Sequence, residues 1–125
     1  MNLALLDMTL AVCRLDPAEG LPRWLTLAPP LTAAVVREGE LTVVAPQNAV
    51  PDGVVAERGW RALEVAGPLD LTMTGVMANL AGALAGAGVS LFAVSSYDTD
   101  VLLVREAQLA AAVAALRAAG HDVAD

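Results

Sequence analysis

From residue 3 to residue 15 the chain alternates. Ala4, Leu6, Met8, Leu10 and Val12 fall on one side, and Leu5, Asp7, Thr9, Ala11 and Cys13 on the other. A period of two predicts a strand, or a hairpin bent at Asp7. Residues 16–22 (DPAEGLP) break the pattern with turn chemistry, because proline cannot donate to a strand ladder. Arg23-Trp24-Leu25 predicts a short helical turn before Pro29-Pro30. Residues 31–45 predict a hairpin, LTAAVV and LTVVA around Arg37-Glu38-Gly39-Glu40, with Gly39 available for positive φ. Residues 46–59 are expected to be loop, with a turn at Pro51-Asp52-Gly53 and room for one short helix. Residues 60–66 (WRALEVA) are extended again, with Leu63 and Val65 on one face and Arg61 sharing that side.

The longest uncharged run lies between Asp70 and Asp98, and the chain is organised around residues 67–100. Met73, Met77, Leu80 and Leu84, with Val76 beside them, recur at helical spacing and form one apolar stripe. Ala78, Gly82 and Gly86 follow a spacing of four on the same helix. Interior glycine costs about 1 kcal/mol relative to alanine. Two readings of that composition stand: another backbone approaches closely, or the helix is alanine-rich and loosely built. Ala87-Gly88 ends it. A strand over 89–94, a polar turn over 95–100 (SSYDTD) and a returning strand over 101–104 follow. The last helix is expected over 106–119, with Leu109, Val113 and Leu116 facing the core. Glu106 in its first turn, Arg117 in its last and Gly120 beyond it match the macrodipole and C-cap rules. Residues 121–125 could add a short final strand.

The two halves align at an offset of sixty. LTAAVVREGELTVV (31–44) lies over LFAVSSYDTDVLLV (91–104) without a gap, and Leu3 and Leu5 lie over Leu63 and Val65. Self-similarity at a fixed period marks repeated architecture. The expected fold class is α+β: two tandem ferredoxin-like βαββαβ units, each an antiparallel sheet with helices on one face. Residues 1–59 form the first unit, with truncated helices, and residues 60–125 the second. Two such units create a crevice at their interface, a preferred place for small ligands.

Composition narrows the function. At 125 residues the chain is one domain or two very small ones, and 57% hydrophobic residues are ample for a core. A net charge of −7 with scattered basic residues argues against nucleic acid, whose affinity rests on Lys and Arg neutralising phosphates. Cys13 is the one cysteine and His121 the one histidine, so neither a disulfide nor a thiolate or multi-histidine metal site is expected, and no cofactor. The start lacks a basic region before its apolar run and is interrupted by Asp7, so no signal peptide is read. The central uncharged run carries glycines, Asn79 and a Ser-Ser pair, with no flanking positive charge, which argues against a membrane span. A cytoplasmic protein is the expectation.

Catalysis lacks parts. Ser95, Ser96 or Cys13 as nucleophile would need a base, and nothing in the sequence positions His121. No Lys completes a phosphate loop around Gly82, Gly86 and Gly88. The expectation is that the chain is not an enzyme. Binding is better supported. Asp70, Thr72 and Thr74 lie at the helix start, where they either cap orphan N–H groups or leave those groups to a carboxylate. Asp98 and Asp100 either tip a solvated hairpin or, with the hydroxyls of residues 95–100, meet an ammonium or guanidinium group. An amino acid carries both charges.

LAVCRLDP, LPRW, GWRALEVAGPLD, SSYDTD and the closing AALRAAGHDV together resemble the small bacterial proteins made of two ACT domains. These are related to the regulatory region of aspartate kinases and to the cytosolic arginine sensors of animals. The resemblance spans nearly the whole chain and implies a tandem ferredoxin-like fold, allosteric amino-acid binding at an ACT–ACT interface and a homodimer. It places the ligand's charged groups at Leu69, Asp70, Thr74 and Gly75, in the first strand–helix loop. The turn supplies Ser95, Ser96 and Asp100. The alternative is a structural or protein-interaction module that assembles through exposed sheet edges and the small-residue helix face, without a small-molecule ligand.

Overall fold

A computed structural model describes residues 1–70 and 72–124; Leu71, within the expected strand-to-helix loop, and Asp125, within the expected last strand, lie outside the described residues. The described residues form seven strands and two α-helices in the order β1 (Asn2–Leu15), β2 (Ala33–Arg37), β3 (Glu40–Pro46), β4 (Ala56–Val65), α1 (Val76–Gly86), β5 (Phe92–Ser95), β6 (Asp100–Arg105), α2 (Leu109–Ala118) and β7 (Asp122–Ala124). The chain divides into two compact units, Met8–Trp60 and the combination of Met1–Asp7 with Arg61–Asp125. Both β1 and β4 pass from one unit into the other.

The unit that holds both helices runs βαββαβ from the second half of β4 to β7. Its strand order is β7–β1–β4–β6–β5. The chain's first residues thus enter the sheet between the first and last strands of the βαββαβ run. There β1 pairs in parallel with β7, Leu3 opposite Val123, and the Ala66 N–H donates to the Asn2 carbonyl at 2.7 Å. Leu63 and Val65 of β4, Leu102 and Val104 of β6, Leu80 and Leu84 of α1 and Leu116 of α2 form one buried cluster. Their spacing explains it: every second residue of a strand and every fourth of a helix return to one face. Burial of this kind yields roughly 1.5–3 kcal/mol per large side chain.

Both helices end as their glycines require. Gly88 (φ +72) and Gly120 (φ +94) follow the last turns. Val89 N–H returns to the Leu84 carbonyl at 2.9 Å and His121 N–H to the Leu116 carbonyl at 3.0 Å, the six-to-one bond of a Schellman ending. Helix α1 starts at Val76, and Met73, from the expected apolar stripe, lies outside it, half exposed. A β-carbon built on Gly82 or Gly86 meets nothing within 4 Å, so among the described residues no backbone crosses that face closely, which favours the loosely built alanine-rich helix.

The other unit contains no α-helix among its described residues, only single 3₁₀ turns at Pro17–Glu19 and Gln47–Ala49. The expected helical turn at Arg23–Leu25 is a plain turn. Strand β3 pairs antiparallel with both β1 and β2. Ala11, Cys13, Leu41, Val43, Ala45 and Val50 are buried there, with Trp24 and Leu25 packed against them in place of a helix.

Candidate functional site

Within the helical unit, Leu69, Asp70, Met73, residues 75–78 and residues 96–100 line a cleft of about 260 Å³. Two segments build it. The first leaves β4 through Gly67-Pro68 and reaches α1 at Gly75; the second is the turn between β5 and β6. They are fastened to each other at their bases. The Thr99 hydroxyl donates to the Val65 carbonyl at 2.6 Å, and the Leu69 N–H donates to the Asp98 carbonyl at 2.6 Å. Gly67 is needed here because a β-carbon would sit 3.0 Å from the Asp98 carbonyl oxygen and 3.1 Å from Thr99 Cβ.

The turn is braced from within. Ser96 donates through both its N–H (2.8 Å) and its hydroxyl (3.0 Å) to the Thr99 carbonyl. The Thr99 N–H returns to Ser96 Oγ at 3.3 Å. Ser95, outside the cleft lining, donates its hydroxyl to Asp100 Oδ1 at 2.7 Å and so orients that carboxylate. On the opposite wall, Asp70 Oδ1 accepts the N–H and the hydroxyl of Thr72, each at 2.9 Å. These bonds, the backbone N–H first and the hydroxyl second, hold the Asp70 carboxyl below its ordinary pKa.

Asp70 is therefore engaged in a local turn and does not cap α1. The N-cap is Gly75, in the left-handed region at φ +80, with no side-chain cap. The first helical bond runs from Asn79 N–H to the Gly75 carbonyl at 2.9 Å. The N–H groups of Val76, Met77 and Ala78 have no carbonyl within the helix to donate to, and these three residues line the cleft. A helix N-terminus carries partial positive charge. Asp98, Asp100 and Asp70 line the same cleft from the turn and the loop, and among the described residues no Lys, Arg or His lines it. The arrangement offers N–H donors for an anion on one side and carboxylates for a cation on the other.

Of the residues expected from sequence, Leu69, Asp70, Gly75, Ser96 and Asp100 line this cleft. Thr74 is exposed beside it and Ser95 supports it from behind. Met73, Tyr97 and Thr99 line it without having been singled out. Nothing in hydrophobic periodicity marks Thr99, whose importance lies in a bond to Val65, thirty-four residues away. Among the described residues no group of His, Cys, Asp and Glu could hold a metal ion. Nor is any helix among them long and apolar enough to cross a membrane.

Residues 55–118, just over half the chain, match the model of the ACT domain. The chain belongs to the ACT-domain family. Among curated proteins, none matches it. Among solved structures, this ACT protein resembles protein Atu0741 from Agobacterium tumefaciens (TM-score 0.90, 28% identity, covering 98% of this chain and 90% of that one). It is also similar to VC0802 from Vibrio cholerae, a protein of unknown function described as a possible transport protein (TM-score 0.77, 21% identity, 94% and 88% covered). The ligand-free regulatory subunit of aspartate kinase from Thermus thermophilus shares the fold (TM-score 0.63, 14% identity, 96% and 98% covered). The ACT-like α+β fold and the likeness to aspartate kinase regulatory regions, both read from sequence, are therefore established.

Proposed function

We propose that this ACT protein is a non-catalytic regulatory sensor that binds an α-amino acid, or a similar small zwitterion, in the cleft between residues 67–75 and 96–100. The observation that carries the reading is the shared cleft of an α1 N-terminus without a side-chain cap and the acidic β5–β6 turn. The ligand carboxylate takes the N–H groups that follow Gly75, a favourable place for an anion. Its ammonium takes Asp98 and Asp100, the latter held by Ser95, with Ser96 and Asp70 at the flanks. Leu69 and Met77 supply apolar surface for the ligand's side chain, and Thr74 shapes the loop ahead of Gly75.

The wider assembly belongs to the same reading: two ACT units, residues 1–59 and 60–125, acting as a cytoplasmic homodimer with the ligand at an ACT–ACT interface. Support comes from the rim of the cleft, where Met73 is 51% and Tyr97 80% exposed. Large side chains so placed suit coverage by a second copy. A ligand that binds only the native state raises its stability by RT ln(1 + [L]/Kd). Thermal melts against the twenty amino acids should therefore show a concentration-dependent rise with at least one of them, abolished by Asp100→Ala. No rise with any would defeat the reading.

One observation favours a second reading, an interaction module without a small ligand. Strand β2 has an exposed edge bearing Val35 and Val36, the latter 69% exposed, and such edges invite pairing with another strand. A partner retained by the chain with Val36→Lys weakening it, and no amino-acid response, would support that module.

A further inference from the structure

Strand β2 ends its sheet, with β3 as its one neighbour among the described residues. Which of its backbone groups are open follows from the ladder. In an antiparallel pair, directly opposed residues alternate between bonded and unbonded. The Arg14 N–H donates to the Val55 carbonyl at 2.9 Å, away from β3. Its neighbours on β1, Leu15 and Cys13, therefore bond to Leu41 and Val43. That leaves Glu40, Thr42 and Val44 to bond to β2, opposite Arg37, Val35 and Ala33. Ala34 and Val36 turn their N–H and C=O groups outward, and among the described residues nothing bonds to them. The side chains of this edge are apolar on both faces. Val36 and Ala34 stand opposite Leu41 and Val43, which are fully buried, yet both are exposed. Val35, on the other face, is 55% exposed. No lysine, proline or bulge guards the strand. By contrast β5, the free edge of the helical unit, keeps Phe92 and Val94 half-buried.

We propose that β2 pairs with β2 of a second copy of this chain, antiparallel about a two-fold axis at Val35. The strand is complementary to itself in that register. Ala34 of each copy exchanges both backbone bonds with Val36 of the other. The two Val35 residues meet as the close unbonded pair, with Cα atoms about 4.5 Å apart. A centre at Ala34 or Val36 would draw on Thr32 or Glu38, outside the strand, whereas the Val35 centre pairs every outward residue of β2 with another. It also sets Arg37, the strand's one charge, opposite Ala33, so no like charges oppose each other. Arg37 keeps its bond to Glu40. The apolar face begun by Leu41 and Val43 then continues through Val36 and Ala34 into the second copy. An isologous contact of this kind needs a surface that matches itself, which β2 provides. Naming a second copy as the partner deepens the β2-edge reading. No cleft residue takes part, so the pairing stands whether or not an amino acid binds there.

Sedimentation of the full chain tests the contact, and cysteine cross-linking tests its register. Val36→Lys, at an exposed position, places a charge on the edge and should halve the sedimenting mass while leaving any thermal response to amino acids as it is. Val35→Cys should form an intermolecular disulfide under oxidised glutathione, because the paired Cα atoms lie within a disulfide's reach. Val36→Cys should not, since its two copies stand on a diagonal roughly 7 Å or more apart. Cys13 is buried and does not compete. A mass unmoved by Val36→Lys, or Val36→Cys cross-linking as readily as Val35→Cys, would overturn the pairing. Capture of an unrelated strand peptide by a chain that does not self-associate would overturn it too.

Discussion

Two hairpins of this ACT protein start from nearly the same pattern and end in different work. In the first, β2 and β3 pair Arg37 with Glu40 across a two-residue turn whose Gly39 sits at φ +77. In the second, β5 and β6 pair Ser95 with Asp100 across a four-residue turn. At the offset of sixty Arg37 corresponds to Tyr97, so the second hairpin closes two residues earlier on one strand. A slip of two keeps every side chain on its face, because the side-chain period is two. It releases Ser96 and Tyr97 from the ladder and joins them to Asp98 and Thr99 in the turn.

The polar groups follow. Glu40 spends its carboxylate inside the first hairpin, on Arg37 at 2.9 Å and Thr42 at 3.2 Å. Those bonds, with the Arg37 bond first, hold its carboxyl below the ordinary value. Arg14 covers the Gly39 carbonyl at 3.1 Å. The second hairpin uses its hydroxyls and carbonyls to brace the turn and leaves Asp98 and Asp100 on the cleft. A tight turn that satisfies itself is structural, whereas a longer one braced by hydroxyls can present charge to a ligand.

The largest test of this contrast lies beneath the hairpins. Leu41→Ala and Leu102→Ala each remove a fully buried leucine, one from each core, and each should cost about 2–5 kcal/mol in urea unfolding. Only Leu102→Ala should also weaken any amino-acid response. Gly67→Ala comes next: its methyl must displace the Asp98 carbonyl and Thr99, costing roughly 1–3 kcal/mol and spreading the cleft. Gly82→Ala is its counterpart in open space on α1 and should gain about 0.5–1 kcal/mol with ligand response unchanged. Equal effects of the two glycine substitutions would break the assignment of the Gly67 contact.

The smallest effects belong to the polar groups. Glu40→Gln removes an exposed ion pair and should move the melting temperature little, as surface pairs generally do. Asp100→Asn should be just as mild on stability yet remove the amino-acid response. Asp70, with its depressed carboxyl, contributes stability above its unfolded value that is lost as pH falls through the folded one. Asp70→Asn should remove that acid-side component, seen as a flatter melting profile near pH 3–4.

Much of this was legible in the chain. The alternation of residues 3–15, the Gly39 hairpin, Leu80 and Leu84 on one helix face and the glycines past each helix all follow from period and turn chemistry, which are local. Gly67–Asp70 and the SSYDTD turn stood out because their polar residues sit where an element changes. The helix start did not, since the Asp-x-Thr pattern reads as a cap and only the backbone shows Asp70 closing a turn earlier, with Gly75 left as N-cap. The entry of β1 between β7 and β4 was likewise invisible, because pairing across more than a hundred residues leaves no periodic trace.

The account turns on whether the β5–β6 turn and the α1 N-terminus act together on one ligand. Amide chemical-shift mapping of the labelled protein, titrated with each of the twenty amino acids, addresses that directly. The prediction is saturable movement confined to the amides of residues 75–78 and 96–100, with the first hairpin silent. No movement with any amino acid, or movement centred on residues 37–40, would contradict it.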